Sequence, residues 1–247
     1  SGIGIGLHSG RQIAMTIRPA PANHGIVFRR RDVSGRPSTV SARWNNVSRT
    51  DLSTTLGNEH GVSVATVEHL LAALRGCGVD NARVELDGPE VPIMDGSAEP
   101  FVNVLQHAGR VKLDAPRCVI WIHRVVEAQH DDKLALLLPG PLGRITVNID
   151  FDDAVIGAQA YTFEPGPDAF EFDLAGARTF GFRHQVEAMH AKGLALGGSV
   201  RNAVTISSRG GRSGRTSGRR ARSHSCVRTR AWSRVNCTEA RPPTTPS

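Results

Sequence analysis

A chain of 247 residues is long enough for one large domain or two small ones, and its four cysteines, which form no C-x-x-C pair, argue against a disulfide framework or a thiolate zinc site. The net charge of +7 comes from the end of the chain, because residues 208–247 contain ten arginines and one acidic residue, whereas the preceding residues carry a net charge of −2. The main body therefore lacks the basic character of a nucleic-acid-binding domain, and no apolar run approaches the roughly 18 residues of a membrane-spanning helix.

The first half of the chain predicts strands and helices in alternation. Alternating apolar residues over 11–31 predict a hairpin-like pair of strands, interrupted by the proline-containing segment 19–25. Apolar residues that recur every three to four positions predict a helix over 64–75, ended by a glycine soon afterwards. A strand at 82–86, a turn-rich loop and a second helix over 99–109 complete this half.

A second series of elements follows. Strands are predicted at 118–127, 133–139 and 144–151, then an amphipathic stretch around 182–192 and a last strand at 203–207. Because strands are followed by helices in both halves, the order predicts an α+β fold built from two units of similar size.

The predicted units differ in completeness. Residues 1–115 are expected to form the first domain, with a slightly truncated N-terminus, and residues 116–207 a second, incomplete domain. In residues 208–247 arginine, serine, glycine, threonine and proline dominate, and apolar periodicity is lost. Such a segment cannot bury enough apolar surface to offset the entropy of ordering it, so a disordered basic tail is predicted.

Glu68 and His69 set a carboxylate beside an imidazole in the predicted helix over 64–75. A helix turns about 100° per residue, so both side chains lie off the apolar stripe and can face a cleft. A neutral imidazole is a good zinc ligand, and a neighbouring carboxylate can accept a proton from water that zinc activates. By itself the pair also fits an ordinary solvated helix face, and both interpretations stay open at this point.

Six short motifs accompany this pair in a fixed order. They are the segments 6–10 (GLHSG), 18–23 (RPAPAN), 63–74, 92–98 (PIMDGSA), 177–182 (ARTFGF) and 196–199 (LGGS). Together, over about residues 1–206, they resemble the family of zinc-dependent UDP-3-O-acyl-N-acetylglucosamine deacetylases of lipid A biosynthesis. The resemblance implies two similar β-α-α-β sandwich domains with the active site between them.

The same resemblance implies a reaction and roles for individual residues. The reaction is hydrolysis of the 2-acetamido group with release of acetate, the committed step of lipid A, and so of lipopolysaccharide, biosynthesis in the cytoplasm of Gram-negative bacteria. Zn²⁺ is the implied cofactor and the nucleotide sugar the implied substrate, with a monomer and no specific nucleic-acid partner expected. The implied site residues are His69 (zinc ligand), Glu68 (general base), Thr179 (oxyanion stabilisation) and His8, Phe180, Phe182 and Gly197 (substrate binding).

Plainer structural roles stay open for some of these residues. Phe180 and Phe182 also fit ordinary half-buried strand positions, and Gly197 also fits a site of close backbone approach. Asp95 precedes a glycine, which is typical of a turn, so a structural role is the preferred interpretation for it.

The C-terminal part of the chain departs from the family pattern. The family has a later His-Lys-x-x-x-Asp motif, which supplies two further zinc ligands, and another histidine beyond it; none of these has a counterpart here. His224 has no acidic residue at helical spacing. The abrupt change in composition predicts a reading-frame shift near residues 201–208. With one zinc ligand in place of three, we expect weak zinc binding and little or no deacetylase activity.

Two alternative functions therefore stay open. An inactive member of the family would still bind the nucleotide sugar. A nucleic-acid binder would use the arginine-rich tail, in which Trp232 is the sole aromatic residue for base stacking.

Overall fold

The computed structural model describes residues 1–141, 143–153, 155–166 and 168–207, and its architecture is α+β. In the first half the elements are β1 (Gly2–Ile5), β2 (Gln12–Pro19), β3 (Ile26–Arg30), β4 (Thr39–Ser41), β5 (Val47–Arg49), β6 (Thr55–Gly57), β7 (Ser63–Val64), α1 (Glu68–Gly76), β8 (Ala82–Leu86) and α2 (Glu99–Ala108). In the second half they are β9 (Val126–His130), β10 (Lys133–Leu137), β11 (Ile145–Asp150), β12 (Ala158–Phe163), a π-helical turn (Glu171–Ala175), β13 (Phe180–Phe182), α3 (Arg183–Ala191) and β14 (Val204–Ile206).

The first half is organised around a five-stranded sheet with the order β1-β2-β8-β3-β4. Strand β8 lies between β2 and β3, antiparallel to β2 and parallel to β3. The hairpin predicted over residues 11–31 is therefore wrong, because its two strands exist but do not pair with each other. Pro19 and Pro21 lack backbone donors, which disfavours a ladder through the connection. The Gly25 amide instead donates to Oδ1 of Asn81, just before β8 (2.9 Å).

A single hydrophobic core joins this sheet to α1 and α2. Side chains alternate between the two faces of a strand, so every second residue points towards the helices. The core includes Ile13, Met15, Phe28 and Val84 from the strands and Leu70, Leu74, Phe101 and Leu105 from the helices. Ala175, in the π-helical turn of the second half, is buried in the same cluster, and its carbonyl accepts the Ala98 amide just before α2 (2.9 Å).

The helix predicted over 64–75 is confirmed, but α1 begins four residues later than expected, at Glu68. Ala65 forms an isolated bridge with Glu90, and Thr66 has a φ of 58°, in the left-handed region. A right-handed helix cannot run through such a residue, so the chain turns before α1 starts.

The second half consists of three two-stranded ladders, β9 with β10, β11 with β12, and β13 with β14. The strands predicted at 133–139, 144–151 and 203–207 and the helix-like stretch at 182–192 are confirmed with small differences in their ends. The prediction for 118–127 is largely wrong, because β9 begins only at Val126.

Large apolar side chains are exposed in this second half. Trp121 is 71% exposed, and Leu134 and Ile145 are each 56% exposed. These strands therefore contribute little to the core. In the described ranges no helix is both long and apolar enough to cross a membrane. The predicted disordered tail, residues 208–247, lies outside the described residues.

Candidate active site

One stretch of backbone, residues 89–93, connects the parts of the chain that carry the predicted site. We call it the link segment. On one side, the Ala65 amide donates to the Pro89 carbonyl and the Val91 amide to the Ala65 carbonyl, both at 3.0 Å. On the other side, the Ile93 amide donates to the Ile5 carbonyl (2.9 Å). The link segment thus joins the chain leading into α1 to the loop that contains His8.

Glu68 and His69 lie in the first turn of α1, both half-buried. Their neighbours Leu70, Ala73 and Leu74 face the core, so the predicted placement of the pair off the apolar stripe is confirmed. Oε1 of Glu68 accepts the Thr54 amide, which orients the carboxylate. Nδ1 of His69 is shielded from solvent.

His8 and Gly197, far apart in sequence, lie together. The Leu196 amide donates to the His8 carbonyl (3.3 Å), and the Gly197 amide donates to the Leu7 carbonyl (3.0 Å). A Cβ added at Gly197 would overlap the Gly6 carbonyl oxygen, so close backbone approach explains this glycine. Both ring nitrogens of His8 are shielded from solvent.

Thr179 and its neighbour Arg178 are hydrogen-bonded to the turn that precedes α2. Its amide donates to the Gly96 carbonyl (2.8 Å), and Nε of Arg178 donates to the Asp95 carbonyl (2.7 Å). Oδ1 of Asp95 accepts the amide and the hydroxyl of Ser97 (3.0 and 2.8 Å), so Asp95 has the structural turn role that its sequence indicates.

Phe180 and Phe182 form an aromatic cluster with Phe151. The ring centroids are 5.8 Å apart from Phe151 to each of the other two and 5.9 Å apart between Phe180 and Phe182. Phe182 is buried and also stacks on His184 (5.7 Å), whereas Phe180 is half-buried. Phe151 was not predicted from the sequence, because it follows a strand without a motif.

Two further residues of the site region escaped the sequence analysis. Glu90, in the link segment, accepts hydrogen bonds from the His8 loop and from Thr66. Asn202 is 6% exposed and fixes the segment around Gly197: its Oδ1 accepts the Ser199 amide (2.8 Å) and its Nδ2 donates to the Gly197 carbonyl (2.9 Å). Neither has a local sequence signal, because their partners are close only in the folded chain.

The described residues supply only part of a metal site. Within those ranges, no group of three or more His, Cys, Asp and Glu side chains is placed to hold a metal ion. The sequence predicts one zinc ligand in the described part of the chain, His69, and the structure places no such group around it there. The segment that follows residue 207, with His224, lies outside it.

Comparison with known proteins decides the family. The chain matches the sequence model of the family LpxC, UDP-3-O-acyl N-acetylglycosamine deacetylase, over residues 1–219. The chain belongs to this deacetylase family. The resemblance in the six motifs is therefore confirmed, and the match extends beyond residue 206, the approximate end of the resemblance seen in the sequence.

Three curated deacetylases illustrate the relationship. The UDP-3-O-acyl-N-acetylglucosamine deacetylase of Myxococcus xanthus is 49% identical over 203 residues, which cover 82% of this chain and 64% of the relative. That of Phenylobacterium zucineum is 50% identical over 82% of this chain and 69% of the relative. That of Geotalea uraniireducens is 47% identical over 84% and 67%. The chain thus spans about two thirds of the length of these relatives.

Proposed function

We propose that this chain binds UDP-3-O-acyl-N-acetylglucosamine and that its site hydrolyses the 2-acetamido group, releasing acetate. The observation that carries the proposal is the convergence of family motifs on the link segment. The His8 loop and the start of α1 both bond to the link segment, and Gly197 bonds to the His8 loop. Three distant motifs therefore surround one region of a chain that belongs to the deacetylase family.

Each predicted residue takes the role in this proposal that the family resemblance implies. Glu68, oriented by the Thr54 amide, accepts the proton of the attacking water. Thr179 stabilises the oxyanion that forms as the amide carbon becomes tetrahedral. Phe180 and Phe151 present an apolar surface for the acyl chain, and the buried Phe182 ring packs against both of them and completes this part of the substrate site.

His8 meets the polar part of the substrate. Its loop is held by backbone hydrogen bonds to Leu196 and Gly197, so the segment around Leu196 and the His8 loop are fixed to one another. The proposal includes a monomeric cytoplasmic protein with two similar sandwich domains, in accordance with the family resemblance.

His69 is the proposed zinc ligand. A bound zinc ion would polarise the amide carbonyl and lower the pKa of water to about 7. The described residues provide His69 but no three-ligand group, so their fit to zinc is incomplete. We accordingly expect hydrolysis to be slow and binding of the nucleotide sugar to be the more robust property.

The test measures binding and hydrolysis separately on the purified chain. Calorimetry measures binding of UDP-3-O-acyl-N-acetylglucosamine, and a coupled assay measures acetate released with and without added zinc. We expect measurable binding, slow zinc-dependent release, and loss of release in Glu68→Gln. Glu59→Gln is the matched control, because this side chain is 87% exposed. Absence of both binding and release would refute the proposal.

A second candidate is substrate binding without turnover. The observation that favours it is the lack of a three-ligand group among the described residues. Binding of the nucleotide sugar at micromolar or tighter affinity, with no acetate release at saturating zinc, would select this candidate over hydrolysis.

A further inference from the structure

Glu90 lies at the junction between the His8 loop and the start of α1. The residue is 2% exposed. Oε1 accepts the Ser9 amide (2.7 Å), and Oε2 accepts both the His8 amide (3.1 Å) and the Thr66 hydroxyl (3.0 Å). A buried carboxylate is costly unless donors surround it. The fold thus supplies three donors, and these come from the two chain segments that present His8 and the Glu68-His69 pair.

The Thr66 end of this arrangement is strained. Thr66 has a φ of 58°, a region that β-branched residues rarely adopt. The residue is 4% exposed and stands two positions before Glu68, so its backbone sets the direction in which α1 starts. The bond from its hydroxyl to Glu90 holds the residue in this conformation.

The His8 end is fitted closely to the same carboxylate. A Cβ added at Gly6 would overlap Oε1 of Glu90 and lie 2.5 Å from Oγ of Ser9. A glycine at this position lets the loop close around Glu90. The described hydrogen bonds to Glu90 come from this loop and from Thr66.

We propose that Glu90 is a positioning residue, which sets the His8 loop relative to the start of α1 and thereby fixes the position of this loop relative to Glu68 and His69. The roles given to these three residues rest on the proposed function. The positioning itself rests on the bonds of Glu90 and is tested independently of catalysis.

Three variants test separately the bonds of Glu90 to the His8 loop and its bond to Thr66 at the start of α1. Glu90→Gln keeps the shape of the side chain, but it removes the negative charge to which all three groups donate and replaces one acceptor oxygen by an amide nitrogen, which cannot accept a hydrogen bond. Thr66→Val removes only the hydroxyl and leaves the amides of His8 and Ser9 bonded to Glu90. Glu85→Gln is the matched control, because Glu85 is a similarly buried glutamate (6% exposed) whose partners are Arg18, Arg29 and Arg83.

The readouts are the ring ¹⁵N signals of His8 and His69 at constant pH without added metal, and the Kd for UDP-3-O-acyl-N-acetylglucosamine. We expect Glu90→Gln to move both ring signals and to weaken binding about tenfold, as loss of one hydrogen bond to a charged group would do. Thr66→Val should move the His69 signal alone and leave the Kd within about twofold. Glu85→Gln should change neither.

The difference between the ring signals in Glu90→Gln and Thr66→Val distinguishes positioning from simple destabilisation, because destabilisation would move the signals of both histidines in both variants. Equal effects of Glu90→Gln and Thr66→Val on the two histidines, or no effect of Glu90→Gln, would overturn the proposal. If the wild-type chain does not bind the nucleotide sugar, the proposed function fails while the histidine signals still decide the positioning role.

If Glu90→Gln does not fold, two other variants divide the test. Thr66→Val tests the bond between Glu90 and the residue that leads into α1. Gly6→Ala pushes the loop away from Glu90 and should move the His8 signal alone. A shift of the His69 signal in Gly6→Ala as large as that of His8 would contradict the proposal.

Discussion

Substitution of Gly197 by alanine should separate the segment around Leu196 from the His8 loop. The new methyl group would overlap the Gly6 carbonyl oxygen and lie 2.5 Å from Cγ2 of Ile5. Relief requires a backbone movement of about 1 Å, since packed carbon atoms lie ~3.5 Å apart or more. Such a movement breaks the Gly197–Leu7 bond and the longer Leu196–His8 bond. Each is worth about 0.5–1.5 kcal/mol, and overpacking adds about 1–3 kcal/mol, so we expect ~3 kcal/mol in total.

Amide hydrogen exchange measures this loss locally. A cost of ~3 kcal/mol corresponds to about a hundredfold faster exchange at the Leu196 and Gly197 amides. Gly143→Ala is the control, because among the described residues its added Cβ would meet Pro165 alone, at 3.9 Å. We expect weaker binding of the nucleotide sugar in Gly197→Ala and unchanged binding in the control. Unchanged exchange at both amides in Gly197→Ala would refute the close-approach argument.

Three further predictions follow from packing, charge and metal ligation. Phe101→Ala should lower the free energy of unfolding, measured by urea titration, by about 3–5 kcal/mol. Phe151→Ala should lower it by less than about 1.5 kcal/mol, because Phe151 is 37% exposed. Equal losses in the two variants would contradict the concentration of the core in the first half. The hydrogen bond from Arg18 holds the pKa of Glu85 below its ordinary value of 4.5, so the folded state releases this proton more readily than the unfolded state. Its stabilising effect is present above about pH 4.5 and is lost as the pH falls below that value, so Glu85→Gln should flatten the acid side of the stability profile, and an unchanged profile would refute this assignment. Calorimetric titration with zinc should give binding far weaker than that of a complete three-ligand site, reduced further in His69→Ala; tight stoichiometric binding would contradict this expectation.

The sequence predicts those parts of the fold that depend on local pattern. The 3.6-residue period around Leu70 and Leu74 predicts α1 correctly, and the alternation at Ala82–Leu86 predicts β8. Strand pairing is not encoded in this way, since β8 inserts between β2 and β3 after more than fifty intervening residues. Period alone therefore predicted a hairpin over 11–31, where the structure has two strands separated by a third.

The candidate site shows the same division. His8, Glu68 and His69 were found because they stand in distinctive motifs. Glu90 was not found, because a glutamate between two prolines looks like a loop charge until its bonds to Ser9 and Thr66 are seen. The left-handed conformation of Thr66 has no sequence signal either, since threonine is an unfavourable residue for it.

The uneven distribution of the core bears on which part of the site is most robust. The cluster of buried apolar residues lies in the first half, with Ala175 as the member contributed by the second among the described residues. His8, Glu68 and Glu90 are bonded to this packed unit, and Gly197 is tied to it through Leu7. Thr179 donates to Gly96 (2.8 Å) and accepts the Val204 amide (3.0 Å), next to the two-stranded ladder of β13 and β14, outside the main core. Because local stability follows packing, mild denaturant should open the Thr179 side of the site before the His8 side. Faster exchange at the Thr179 amide than at the Ser9 amide would show this order, and the reverse order would refute it.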